Sequence, residues 1–134
     1  MNRKIFVNLQ VSDLEKSKKF FEEIGFFINQ QFTDETAASV VISDEIYAML
    51  LTEEKFKQFT RKEIVDSHKS TEVILALTAE SKDGVNELIE KVIQAGGKIY
   101  RETEDYGFMY SKSFEDLDGH IWEIVWMDPD YVQS

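Results

Sequence analysis

There is no cysteine in this chain of 134 residues, which excludes a disulfide framework, a thiolate nucleophile and any Cys-based zinc or iron–sulfur centre. Histidine is almost as scarce: two copies, His68 and His120, exclude a His-rich metal site. No G-x-S-x-G occurs. The one serine beside a histidine, Ser67, sits in an irregular stretch, so no nucleophilic triad is expected. Gly96-Gly97 follows a helical pattern instead of opening one and reads as a helix stop, not a phosphate cradle. Met1–Gln10 turns polar at Asn8 and is too short for a signal peptide or a membrane span, so a cytoplasmic location is expected. The only proline, Pro129, lies in a tail, Asp128 to Ser134, expected to be peripheral.

Positive charge is the next shortage. Against 26 acidic residues stand 15 basic ones, and the formal charge of −11 repels nucleic-acid phosphates and anionic membrane surfaces. Neither is expected as a partner. What the chain does have is bulk: 43% of its residues are hydrophobic and 13% are aromatic, enough to fill one core without staples.

The order of elements occurs twice. Ile5–Val11 alternates as a strand, Ser12-Asp13-Leu14-Glu15 offers a capping box, and Leu14, Phe20, Phe21 and Ile24 mark a helix stopped at Gly25. Strand-like runs follow at Phe26–Phe32, Ala37–Ile42 and Ile46–Leu51. The second copy has a strand at Glu72–Thr78 and a helix bearing Val85, Leu88, Ile89, Val92 and Ile93. Further strands are expected at Lys98–Glu102, Phe108–Phe114 and His120–Trp126. The chain reads as one domain of two βαβββ repeats, about 4–52 and 71–127, joined by a helical or irregular crossover, 53–70. Laid over each other, Phe6–Val11 falls on Glu72–Leu77 and Ala48-Met49-Leu50 on Ile121-Trp122-Glu123.

One helix per unit covers one sheet face, so the other face must find a partner or line a cavity. The residues expected there are Phe6, Asn8 and Gln10, then Glu72, Ile74 and Ala76, then Ile121, Glu123 and Val125, with Ala48 and Leu50 as first-half equivalents. Few polar groups in an apolar wall suit a small organic ligand. Glu123 stands out as a carboxylate in an apolar strand that needs a partner when buried. Tyr47, Tyr106, Tyr110 and Lys112 are candidate donors or rim residues, while Trp122 and Trp126 belong to the helix-facing core.

These paired modules, the opening F-V-N-L-Q-V-S-D-L-E-K-S-K-K-F-F-E-E-I-G-F and the closing F-E-D-L-D-G-H-I-W-E-I-V resemble the vicinal oxygen chelate superfamily of glyoxalases, bleomycin-resistance proteins and extradiol dioxygenases. The resemblance implies an α+β fold, two βαβββ modules forming a partly open barrel around a cavity, and a homodimer. It also implies metal ligands on the first, fourth, fifth and eighth strands, which carry over to Phe6, Leu50, Glu72 and Glu123. Phe6 and Leu50 cannot ligate, so no cofactor is expected, with a divalent ion the one cofactor left open. The expected function is small-molecule binding through Phe6, Asn8, Gln10, Leu50, Glu72, Ile74, Ile121 and Glu123. The alternative is a glyoxalase-like lyase or isomerase with a nonstandard metal or with Glu123 as catalytic base.

Overall fold

The computed structural model describes residues 1–131; the last part of the tail, residues 132–134, lies outside the described residues. The chain divides into two compact units, Met1–Val65 and Asp66–Ser134. The first contains β1 (Ile5–Gln10), α1 (Leu14–Glu23), β2 (Phe27–Asn29), β3 (Ala37–Val41), β4 (Ile46–Leu51) and a short α2 (Glu53–Lys57). The second contains β5 (Ile74–Thr78), α3 (Lys82–Gln94), β6 (Lys98–Ile99), β7 (Glu104–Asp105), β8 (Met109–Glu115) and β9 (Ile121–Met127).

Topology repeats along with element order. The sheets run β1-β4-β3-β2 and β5-β9-β8-β6, with β7 paired to β8. In each unit the first strand lies parallel to the last, a pairing that needs an intervening crossover, and the other ladders are antiparallel. The fold is therefore α+β, as the sequence predicts, with each sheet open at both edges instead of closing on itself.

The two longer helices, α1 and α3, are fixed by their ends. Asp13, not Ser12, caps α1, its carboxylate accepting the Lys16 amide at 3.1 Å, and Ser81 caps α3 through the Gly84 amide at 2.9 Å. At the far ends Phe26 N–H bonds to the Phe21 carbonyl and Gly97 N–H to the Val92 carbonyl, at 3.0 and 2.8 Å. The apolar stripe of α1 buries Leu14, Phe20 and Phe21 against Leu9, Ile28, Val40, Ala48 and Leu50. That of α3 buries Val85, Ile89 and Val92 against a sheet carrying Phe114, Trp122 and Ile124. Each such side chain contributes about 1.5–3 kcal/mol through burial.

Three strand predictions end differently, each because a side chain captures a backbone group. The run expected to extend to Phe32 stops at Asn29, whose side chain accepts the Gln31 amide at 3.1 Å and turns Gln30–Phe32 into a 3-10 helix. The fifth strand starts at Ile74, leaving Glu72 outside it, where the Thr71 hydroxyl donates to the Val73 carbonyl at 2.9 Å. Lys98–Glu102 shortens to β6, where the Arg101 amide donates to the Ser113 hydroxyl at 3.2 Å, and the separate β7 follows beyond it. The described part of the tail is largely exposed, as expected, and is tied to the surface at two points. Asp128 N–H bonds to the Phe108 carbonyl at 2.8 Å, and the Tyr131 ring stacks on Phe108 at 4.1 Å. Among the described residues no helix is long and apolar enough to cross a membrane.

The β8–β9 turn is organised by one buried carboxylate. Asp116 accepts the Asp118 and His120 amides at 3.0 Å each and the Trp122 indole N–H at 3.1 Å. Burial nevertheless pushes its pKa up, against the pull of His120 and these donors. The folded state thus holds this proton more tightly than the unfolded chain. Its contribution to stability is fully present below the unfolded pKa and is lost as pH rises through the folded one. Asp34 behaves oppositely: bonds from the Thr36 amide and hydroxyl lower its pKa, so its contribution is lost as pH falls through that lowered value. Carboxyl-detected NMR titration should place Asp116 above and Asp34 below the ordinary aspartate range. The reverse order would refute this account.

Gly119 closes the same turn at φ +84°, and a Cβ there would lie 2.8 Å from the backbone nitrogen and ring Nδ1 of His68 and from the Ser67 carbonyl. Gly107 has a similar φ of +81° with nothing within 4 Å. Gly107→Ala should cost about 1 kcal/mol from backbone strain alone. Gly119→Ala should cost at least about 2 kcal/mol more, measured by urea unfolding, because His68 must also move.

Candidate functional site

In each unit the sheet face turned away from the helix carries the candidate chemistry. Strand alternation assigns residues to that face, and register partners share a face. In the first unit Phe6 pairs with Tyr47 and Asn8 with Met49, which in turn pairs with Ser39. In the second, Ile74 pairs with Ile121 and Ala76 with Glu123, which pairs with Ser113.

The two units superimpose through equivalent bonds: Val11 N–H to the Leu51 carbonyl at 2.9 Å, and Ala79 N–H to the Val125 carbonyl at 2.8 Å. Glu123 then corresponds to Met49, and Phe6 to Ile74. The sequence overlay placed Leu50 on Glu123, a slip of one residue, and a slip of one reverses the face. Leu50 is fully buried beside Ala48 on the α1 side, so neither lies on the open face. Glu72 lies ahead of β5, exposed, two residues before the position matching Phe6.

The open face of the first unit forms a groove of about 500 Å³ lined by Lys4, Phe6, Asn8, Asn29, Phe32, Ser39, Tyr47 and Met49. Its floor has a stacked aromatic pair, Phe6 on Tyr47, with ring centroids 4.7 Å apart and planes 11° from parallel. Phe6 is still 54% exposed, so the outer face of this pair is open. Lys4 Nζ lies 5.6 Å from the Tyr47 ring centre and donates to its hydroxyl at 3.4 Å, while that hydroxyl donates to the Asp44 carbonyl at 2.9 Å. Asn8 and Asn29 provide amides, and Gln10, further along β1, is half-buried on the same face.

The open face of the second unit is ionic. Arg101 donates through Nη2 to Glu123 Oε2 at 2.7 Å and through Nη1 to Glu104, whose other oxygen accepts the Tyr106 hydroxyl at 2.9 Å. Glu123 is 18% exposed and Arg101 43%. Ile121, on the same face, is buried, and Ile74 is exposed. Sequence reasoning gave Glu123 and Tyr106 but missed Arg101, which falls in the run Lys98–Glu102 read as one strand, and Glu104, which lies just beyond that run. Of the other candidates, Tyr110 turns to α3 and donates to Asn86 at 2.8 Å, and Lys112, paired with Ile124, lies on the helix-facing side.

In each unit two equivalent open-face positions bear on whether a divalent ion fits: Phe6 and Met49 in the first, Ile74 and Glu123 in the second. They offer one phenyl, one thioether, one alkyl group and one carboxylate, and the carboxylate already holds a guanidinium. A hard ion wants several oxygen donors and zinc wants three or more N, O or S ligands. Neither unit's pair fits either ion. Among the described residues no three His, Asp or Glu side chains converge as a metal-binding group.

With the fold and both faces described, comparison with known proteins gives the class. The model of the glyoxalase/bleomycin resistance protein/dioxygenase superfamily matches residues 5–124, and the chain belongs to that family. Hypothetical protein SA1046 from S. aureus is similar at 29% identity with a TM-score of 0.78, covering 93% of this chain and 94% of that one. A glyoxalase-related enzyme from Fulvimarina pelagi shares the fold at 21% identity and TM-score 0.79, covering 94% and 88%. The fosfomycin resistance protein FosX from Listeria monocytogenes does so at 18% identity and TM-score 0.68, covering 100% and 95%. No curated protein matches the chain.

The face assignment is testable. Leu50→Ala should cost about 2–5 kcal/mol in urea unfolding, as for a buried leucine, and Met49→Ala at most about half as much. Equal costs would return Leu50 to the groove.

Proposed function

We propose that this chain binds a small organic molecule with a flat apolar body in the groove of its first unit, and does so without a protein-held metal. The observation that carries this reading is the Phe6–Tyr47 stack, more than half of whose Phe6 ring faces open space. An exposed aromatic face beside amides is what a planar ligand needs: stacking area from Phe6, and orientation from Asn8, Asn29, Ser39 and the Lys4 ammonium. The groove volume lies within the usual range for small-molecule sites.

Family membership does not choose between binding and catalysis, since the family name itself joins a resistance protein to enzymes. The lyase or isomerase alternative would use Glu123 as a free base, but its Oε2 is engaged by Arg101, and this favours binding. A homodimer and a cytoplasmic setting are carried with this reading as expectations.

A library of flat aromatic compounds, some with an amine and some with a carboxylate, should be screened by thermal shift and by NMR. Binders should perturb Phe6, Phe32 and Met49, and Phe6→Ala should weaken them by about three- to tenfold, the loss of one stacking contact. Binding that ignores Phe6→Ala, or no binder at all, would refute the proposal.

A further inference from the structure

We propose that Arg101 takes the place of a cation on the open face of the second unit: its guanidinium is an internal counter-ion that neutralises Glu123 and Glu104 together. This extends the metal-free half of the reading above and is independent of the groove.

Four contacts place the guanidinium. The Arg101 backbone is pinned by its amide to the Ser113 hydroxyl at 3.2 Å, and Ser113 is the register partner of Glu123. Its Nη2 meets Glu123 at 2.7 Å, its Nη1 meets Glu104, and Tyr106 fixes Glu104 from the other side at 2.9 Å. The two carboxylates come from β9 and β7 and share one rigid fork. Unneutralised, two carboxylates this close repel one another and favour protonation of one. A bound divalent ion could relieve that repulsion, and here a tethered guanidinium does so with one planar nitrogen to each carboxylate. The first unit needs no such device, because its equivalent of Glu123 is the uncharged Met49.

The arrangement is asymmetric in a useful way. A metal can leave with a chelator or exchange for another, whereas the Arg101 charge is permanent and travels with the chain. The face is thereby closed to metal-dependent activation of a ligand while keeping a fixed cation among its polar groups.

The test uses the full chain with Mn²⁺ as probe, read by paramagnetic broadening of amide signals and by thermal unfolding. Wild type should show no selective broadening at Glu104 and Glu123 and little stabilisation by Mn²⁺ at about millimolar levels. Arg101→Gln, which keeps much of the side-chain bulk, should be less stable. It should show selective broadening at both glutamates and bind Mn²⁺ at least about tenfold more tightly than wild type. Arg101→Lys should behave like wild type towards Mn²⁺, since the charge remains. Adding Glu123→Gln to Arg101→Gln should abolish the gain. Selective Mn²⁺ binding at Glu123 in wild type would overturn the proposal, as would equal Mn²⁺ responses in wild type and Arg101→Gln. Should Arg101→Gln fail to fold, Arg101→Met read in the same way carries the decision.

Discussion

One helix can cover only one face of a sheet, and the rest of this structure depends on that constraint. In each unit the helix takes the bulky apolar residues, Phe20 and Phe21 on one side and Val85, Ile89 and Val92 on the other, and buries them against strand residues of matching alternation. The opposite face of each sheet is left to a different kind of side chain. It carries Asn8, Ser39 and Tyr47 in the first unit, and Ser113 and Glu123 in the second. Burial is concentrated on one face and polar groups on the other, so the register of β1 with β4 and of β5 with β9 decides which residues reach the open face at all.

Much of this was legible in the sequence because it rests on periodicity and punctuation. Alternation in Ile5–Gln10, the 3.6-residue pattern in Lys82–Gln94 and the Gly25 and Gly96-Gly97 stops specify the repeated βαβββ order without reference to distant contacts. Register between the copies was less secure. An apolar strand such as Ile46–Leu51 reads equally well in either phase, because Met49 and Leu50 are interchangeable to a hydropathy pattern. The strand pairing, with the backbone bond from Val11 to Leu51, distinguishes them. Glu123 was recoverable since a carboxylate in an apolar strand marks its own position. Arg101 was not, because its role depends on the Ser113 hydroxyl twelve residues away interrupting what would otherwise be a single strand.

The buried carboxylate of Asp116 shows the same motif serving structure instead of chemistry. The closing segment that carries the family resemblance contains both Asp116 and Glu123, yet they have opposite surroundings. Asp116 accepts from backbone amides and the Trp122 indole, holding the turn through which β9 enters the sheet. Glu123 points to the open face and meets a side-chain cation. The motif is conspicuous in sequence largely because it builds the turn, and its presence therefore says more about the fold than about any reaction.

The two copies then illustrate how a duplicated unit can acquire two kinds of surface without altering its core. Equivalent positions keep a serine beneath the open face, Ser39 in one unit and Ser113 in the other, both buried. Above them the pairs differ: Met49 with an aromatic stack in the first, Glu123 with a guanidinium in the second. Because these residues point away from the helix, exchanging an uncharged group for a charged one there costs little of the burial that stabilises the unit, provided the charge brings its own partner. Arg101 is that partner. The ionic face and the aromatic face are thus alternative solutions on one scaffold, and the ionic one carries its counter-charge within the chain.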